Sequence, residues 1–207
     1  MKLLQTVVAS FAVAASSMAF ASVSGSAGGP LGTFADLSST GANTGDMTGS
    51  IDASIVGGSV LSTSLTNNYL MPVGTVGNYL AAGPTAGTPA EVTFDTPLTS
   101  VSFLWGSPDT FNQLTVLSSG VPGGTAFLAT DFFAAAMVNG NNANSGYVLF
   151  TASAGDTITG LRFTSNTNAF ESSNYSTTPA IPEPETYALM LAGLGVMGFI
   201  ARRRKAA

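Results

Sequence analysis

The sequence predicts an all-β protein whose body is an antiparallel β-sandwich or jelly roll. Only 8% of its 207 residues are charged, and Gly is frequent, with 24 residues. Helices on a protein surface normally carry Glu, Lys and Arg, so this composition disfavours them. Short apolar runs separated by turn residues occur from residue 91 onward, and such runs are typical of antiparallel two-layer folds. The length is that expected for one domain.

Residues 1–21 have the three parts of a secretory signal peptide. Lys2 supplies the positive charge, a short apolar run follows, and Ala19 and Ala21 form a small-x-small cleavage site. A retained membrane anchor is the alternative, but the apolar run is too short and too rich in Ser. We therefore expect export through the Sec translocon and cleavage by signal peptidase after Ala21, which makes Ser22 the mature N-terminus.

Residues 22–180 form the predicted extracytoplasmic β domain. Apolar and polar residues alternate along its strands, and turn residues such as Gly106 and Pro108 end them. We expect the first of these strands to end at residues 95–97, where Asp, Thr and Pro follow one another. The predicted strands are residues 92–94, 101–105, 114–116, 147–150 and 158–163.

Two segments of the body allow more than one interpretation. Residues 131–138 fit one helical turn or a strand equally well. Residues 22–60 are either disordered or edge strands of the same fold. We favour edge strands, because apolar residues such as Ile51, Ile55 and Val60 recur there at intervals.

The predicted core lies on one face of the strands. Trp105 is interpreted as a core residue rather than a sugar-binding platform, because it shares its face with Val101 and Phe103. We expect buried side chains at Val101, Phe103, Trp105, Leu149 and Phe163.

The charges exclude several classes of function. The body has nine acidic residues and one basic residue, Arg162, so its net charge is −9 plus 1, or −8. Such a surface cannot neutralise phosphates, which excludes nucleic acid as a partner. The chain has no His and no Cys. Nucleophiles activated by His, disulfides and zinc sites with N or S ligands are therefore excluded.

Residues 181–207 have three parts in a fixed order. A stiff, extended segment formed by Pro182, Glu183 and Pro184 comes first. An uncharged apolar stretch, residues 186–201, follows, and as a helix it is about 24 Å long, against a bilayer core of about 30 Å. The alternative, a buried core helix, leaves the following basic cluster unexplained. We predict one short transmembrane helix and a cytoplasmic stop-transfer cluster, by the positive-inside rule, at Arg202, Arg203, Arg204 and Lys205.

This order of parts resembles the PEP-CTERM sorting domain, over about the last 26 residues. The resemblance implies that an exosortase, a transpeptidase-like enzyme of the inner membrane, cuts the tail near Pro182-Glu183-Pro184. It also implies a Gram-negative bacterium that makes exopolysaccharide. The protein would be anchored transiently in the inner membrane and would then reach the cell surface or the medium.

The body is also similar to a group of exosortase-dependent surface proteins, from about residue 69 to residue 175. Their pattern includes W-G-S-x-D-x-[YF]-N, which residues 105–112 match. It also includes A-F-E-x-D-N, which residues 169–174 match except at Ser173, where the group has Asp. The resemblance implies a surface role and fixes no ligand.

Four polar residues beside the predicted strand ends are candidate ligand-binding residues. Asp and Asn at such positions usually close an Asx turn or cap the next segment, and we favour this role over a ligand or calcium contact. We predict no metal, no cofactor and no catalytic residue. The four candidates are Asp109, Asn112, Glu171 and Asn174.

Three classes of function remain. We favour a structural protein of the extracellular matrix, associated with exopolysaccharide or biofilm. The alternative is a carbohydrate-binding module with the same fold. A glycosidase is disfavoured, because the acidic residues show no pair at a recognisable spacing; two carboxylates about 5–10 Å apart in one cleft would favour it. The protein is therefore predicted not to be an enzyme.

Overall fold

The structure, a computed structural model, describes residues 22–180 and positions 190, 192–194 and 197. These five tail positions are helical and exposed, and they belong to the predicted apolar helix, residues 186–201. Among the described residues, no helix has the length and hydropathy needed to cross a bilayer. The other predicted segments of the two ends lie outside the described residues: 1–21, 182–184 and 202–205.

The body, residues 22–180, is all-β, as predicted, and every strand pairing is antiparallel. Three short 3-10 helices, Ala129–Asp131, Ala135–Met137 and Asn142–Asn144, interrupt the strands. The strands are β1 (Val23–Ala27), β2 (Asp36–Gly41), β3 (Thr44–Thr48), β4 (Ala53–Val56), β5 (Ser59–Leu61), β6 (Tyr79–Ala82), β7 (Ala90–Gly106), β8 (Asn112–Ser118), β9 (Thr125–Leu128), β10 (Gly146–Ala152), β11 (Ile158–Ser165) and β12 (Phe170–Pro179).

All twelve strands of the body are joined in one sheet through the 17-residue strand β7. The first half of β7 pairs with β4 and β11, and its second half pairs with β10 and β12. From the first half the order runs β2-β3-β4-β7-β11-β8-β9, and from the second half it runs β1-β10-β7-β12-β6-β5. The two sets of strands therefore share one central strand.

Residues 95–97 do not end a strand, which corrects the sequence prediction. The segments predicted as separate strands, 92–94 and 101–105, are both part of β7. Residues 95–97 are exposed and lie between the last β4 partner, at Phe94, and the first β12 partner, at Leu98. Proline is tolerated in a strand where its missing N–H has no ladder partner. Pro97 therefore marks the point where β7 changes its partners.

The strands β1, β10, β7 and β12 lie side by side in register. Ser24 is opposite Thr151, Thr151 is opposite Ser100, and Ser100 is opposite Thr178. The start of β1 and the end of β12 therefore lie at the same end of this set of strands. At the other end, Gly106 of β7 is opposite Glu171 of β12.

A cluster of aromatic rings forms the centre of the core. Trp105 stacks on Phe170 with ring centroids 4.3 Å apart, and Phe103 meets the edge of Phe163 at 5.4 Å. Phe163 belongs to β11, whereas Phe103 and Phe170 belong to the other set of strands. The side chains of Val101, Phe103, Trp105 and Phe163 are fully buried, as predicted.

Leu149 is half-buried, so the prediction that it belongs to the core was wrong. Its neighbours Val148 and Phe150 are fully buried instead, and Phe150 stacks near Phe103. Successive side chains of a strand point to opposite faces, so Leu149 must face away from the core if its two neighbours face it. Residues 147–150 are all apolar or aromatic, and this run gives no period-2 signal that could set the register.

The two segments that allowed more than one interpretation, residues 22–60 and 131–138, have a defined secondary structure. Residues 22–60 contain β1 to β4 and most of β5, so they are strands of the same fold; β1, β2 and β5 are edge strands as predicted, whereas β3 and β4 have a partner on both sides. Ile51 and Ile55 are buried there, and Val60 packs half-buried against the core. Residues 131–138 contain the end of one 3-10 helix and the whole of another, so the helical-turn alternative holds.

Replacing Trp105 by Ala is expected to lower the free energy of unfolding by about 3–5 kcal/mol, because it removes a fully buried ring that stacks on Phe170. Urea unfolding followed by circular dichroism measures this loss. The matched control is Val56→Ala in the exposed face of β4, where the side chain is 63% exposed and the cost should stay below about 0.5 kcal/mol. Equal losses in the two variants would contradict the core assignment.

Candidate functional site

A cleft of about 220 Å³ opens where β7 ends and β12 begins. The pairing of Gly106 with Glu171 fixes these two strand ends beside each other. The segment after β7 and the segment before β12 form two walls, and the loop of residues 66–70 forms a third. The polar residues that line the cleft are Thr66, Asn67, Asn68, Ser107, Asp109, Asn168 and Glu171, together with Tyr69.

Glu171 is the most buried acidic residue of the cleft, with 2% of its surface exposed. Its Oε1 atom accepts a hydrogen bond from the backbone N–H of Leu70 at 3.0 Å. Its Oε2 atom is buried and has no hydrogen-bond partner among the described residues. A buried carboxylate oxygen without a partner is costly, so this atom can accept a ligand that compensates it.

Burial raises the pKa of Glu171 to about 8. The N–H of Leu70 favours the ionised form and opposes this shift, whereas the negative charge of Asp109 adds to it. At neutral pH the side chain of Glu171 is therefore mainly protonated in the folded protein.

Asp109 lies on the segment after β7 and is half-buried. Burial raises its pKa as well. The carboxylate lies directly against Gly140, where an added Cβ would be only 2.9 and 3.0 Å from its two oxygens. Gly140 has a φ of 72° and donates its N–H to the carbonyl of Pro108 at 2.9 Å. Glycine at position 140 therefore leaves space for the carboxylate of Asp109.

The other two sequence candidates do not line the cleft. Asn112 is fully buried in β8, where its Nδ2 donates to the carbonyl of Ala169 at 3.3 Å. Asn174 has a φ of 52° at an irregularity of β12. Its Oδ1 accepts from Val76 N–H at 2.8 Å, and its Nδ2 donates to Gly74 O at 2.8 Å. Both side chains form contacts that hold the chain in place, although Asn112 Oδ1 is buried without a hydrogen-bond partner among the described residues.

The loop of residues 66–70 was not identified from the sequence. Its shape is set by backbone hydrogen bonds from Asn68 and Tyr69 to Leu65, and by the contact of Leu70 with Glu171. The Asn67-Asn68 pair is a turn signal, but nothing in the sequence relates it to residues about 100 positions later. Asn168 completes the wall, and its Nδ2 donates to Asn68 Oδ1 at 3.2 Å.

The cleft is acidic and lacks a positive side chain. Arg162, the only basic residue between positions 22 and 180, forms an ion pair with Glu91 at 2.8 Å. Asp109 and Glu171 thus line the same cleft. Two carboxylates in one cleft are one part of the arrangement that a glycosidase requires.

Comparison with known proteins identifies the tail. Residues 180–205 match the sequence family described as the PEP-CTERM protein-sorting motif. This motif indicates a surface protein that an exosortase targets and that is sorted through the membrane. No curated protein and no solved structure matched the chain. The match covers the tail and not the β body.

The free energy of unfolding is expected to fall as the pH rises from about 5 to about 8. Because the pKa of Glu171 is raised, the folded protein binds more protons in this interval than the unfolded chain, whose Glu has its ordinary pKa of 4.5. Urea unfolding at a series of pH values measures the slope. Glu171→Gln, which keeps the carbonyl acceptor for Leu70, should flatten it. The exposed variant Asp95→Asn serves as control, and a wild-type slope in Glu171→Gln would refute the assignment.

Replacing Asn174 by Ala is expected to lower the free energy of unfolding by roughly 1–3 kcal/mol, because Val76 N–H and Gly74 O lose their partner. Hydrogen exchange at the Val76 amide should become faster. Asn174→Gly is the matched control: it loses the same hydrogen bonds but tolerates the positive φ, so it should be less destabilised than the Ala variant. Unchanged exchange at Val76 in both variants would show that Asn174 does not hold this loop.

Proposed function

We propose that this protein is a structural component of an extracellular matrix, released from the inner membrane by exosortase cleavage and associated with exopolysaccharide or biofilm. One observation carries the proposal: the sorting motif begins at residue 180, directly after β12 ends at Pro179. The folded body therefore ends where the sorting tail begins. A cut near Pro182-Glu183-Pro184 would leave all twelve strands intact.

The proposed route to the surface follows from the two ends of the sequence. The Sec translocon exports the chain, and signal peptidase removes residues 1–21. Residues 186–201 then hold the protein in the inner membrane of a Gram-negative cell, with the basic residues 202–205 in the cytoplasm. The apolar stretch of residues 186–201 is short for a permanent membrane span. Each of its glycines also lowers the stability of a helix by up to about 1 kcal/mol relative to Ala. Both properties suit a temporary anchor.

The proposed role of the body is structural rather than catalytic. The chain has no Cys, so its stability outside the cell depends on strand pairing and on the buried ring cluster. The ring of Phe163 in β11 packs against Phe103 of β7 and Phe170 of β12, which supports a two-layer β-sandwich arrangement of the sheet. The net charge of −8 for the body favours a solvated, non-aggregating domain in a hydrated matrix.

A carbohydrate-binding module is the alternative proposal. Trp105, the only Trp of the chain, is fully buried and offers no exposed platform for a sugar ring. The alternative therefore depends on the cleft, where Tyr69, Asn67 and Asn68 provide one ring and two amides. Binding of the mature protein to a panel of polysaccharides distinguishes the two roles.

Changing Glu183 to Ala, or both Pro182 and Pro184 to Ala, is expected to leave full-length protein in the inner membrane. The reason is that the exosortase would no longer recognise the stiff Pro-Glu-Pro segment. Mass spectrometry of the membrane and extracellular fractions measures this. Deleting residues 182–207 should instead give a protein that is exported but missorted.

The neighbouring variant Glu185→Ala is the matched control, since it removes one acidic residue outside the Pro-Glu-Pro motif. It should be processed as in wild type, and the mass of the released protein should also show a start at Ser22. Normal processing of the Glu183 and proline variants in a strain with an intact exosortase would refute the sorting proposal.

A further inference from the structure

We propose that the cleft between Asp109 and Glu171 binds a divalent cation of the calcium type. The proposal is independent of the sorting function, because it concerns only the β body. The first observation is the pairing of two carboxylates in one small cleft whose walls come from three separate segments of the chain. Two ionised carboxylates match the charge of one divalent cation, and Glu171, which is mainly protonated at neutral pH, releases its proton when the cation binds.

The second observation is the unused oxygen atoms of this cleft. Glu171 is 98% buried, yet its Oε2 atom has no hydrogen-bond partner among the described residues. Asp109 takes part in no ion pair within residues 22–180, since the basic residue of that region, Arg162, is bound to Glu91. Buried polar groups normally have a hydrogen-bond partner or coordinate a metal, and neither carboxyl group has an ion-pair partner within residues 22–180.

The remaining lining supplies further oxygen ligands. Among the residues that line the cleft, Asn67 carries an amide oxygen and Ser107 carries a hydroxyl group. The described residues contain no group of three or more acidic side chains placed to hold a metal, so carboxylates alone cannot fill the coordination sphere. Ca²⁺ takes six to eight oxygen ligands in flexible geometry and accepts carbonyls and water among them, whereas Mg²⁺ needs near-ideal octahedral geometry. An all-oxygen cleft built from irregular loops therefore fits Ca²⁺ better.

A second acidic cluster shows why the number of acids alone is not sufficient. Asp46, Asp52 and Asp95 line a shallow depression beside β3 and β4. Asp52 and Asp95 are exposed, and none of the three has a buried oxygen without a partner. Water can solvate these carboxylates, so this cluster has no comparable need for a cation and provides a matched control.

The test is a titration of the full-length protein with CaCl₂ after treatment with a chelator, followed by calorimetry and by the thermal unfolding midpoint. We expect one saturable site per chain with a Kd of roughly 0.1–1 mM, the range of extracellular calcium modules. The unfolding midpoint should rise with CaCl₂ and level off. MgCl₂ at the same ionic strength should give a smaller shift.

Asp109→Asn and Glu171→Gln should each weaken Ca²⁺ binding at least about tenfold, because each removes one of the two charges. The double variant Asp52→Asn/Asp95→Asn should bind like wild type. If Glu171→Gln does not fold, Asp109→Asn, which changes a half-buried residue, decides the test.

Three results would overturn the proposal. The first is the absence of a saturable CaCl₂ response. The second is binding that is lost in the Asp52/Asp95 variant and kept in Asp109→Asn, which would place the cation in the other cluster. The third is a neutral saccharide that binds equally well in the presence of a chelator and whose binding is lost in Asp109→Asn, which would assign the cleft to sugar hydroxyl groups.

Discussion

Strand β7 is the constraint on which the rest of the fold depends. Each of its halves is paired along both edges, the first with β4 and β11 and the second with β10 and β12. The change of partners at Pro97 allows one strand to serve both sets without leaving backbone groups unpaired in the interior. Phe103 and Trp105, in its second half, then form the centre of the ring cluster. The end of β7 at Gly106 also fixes where the cleft opens.

Strand β12 has a run of buried polar residues, and from Ser172 to Ser176 each polar side chain of the run forms a hydrogen bond. Ser172 shares a hydrogen bond with the hydroxyl of Tyr175 at 2.6 Å, and Ser173 with that of Thr75 at 2.8 Å. Ser176 accepts from Leu31 N–H at 2.8 Å. Satisfied polar groups of this kind specify where loops attach, because a misplaced loop would leave them unpaired. Glu171, at the start of the same run, has one oxygen that is not satisfied in this way.

The sequence predicted the strand-rich body, the burial of Trp105 and the polar residues Asp109 and Glu171, because each of these depends on short-range pattern. It did not predict that Asp109 and Glu171 share a cleft, since this depends on the pairing of Gly106 with Glu171 across 65 positions. The register of β10 at Leu149 also depends on its partners, as its own residues are uniformly apolar. The local alternation of apolar and polar residues identifies strands, whereas the pairing of distant strands decides which side chains come into contact.

The register of Ser24, Thr151, Ser100 and Thr178 also fixes where the two ends of the β body lie relative to the cleft. Three strand spacings, about 14 Å in total, separate the start of β1 from the end of β12, so the chain enters the first strand and leaves the last strand at one pole of the body. The cleft lies at the opposite pole, about 26 Å along β12 from Pro179. The acidic cleft therefore lies at the pole of the body away from the two points where the chain enters β1 and leaves β12.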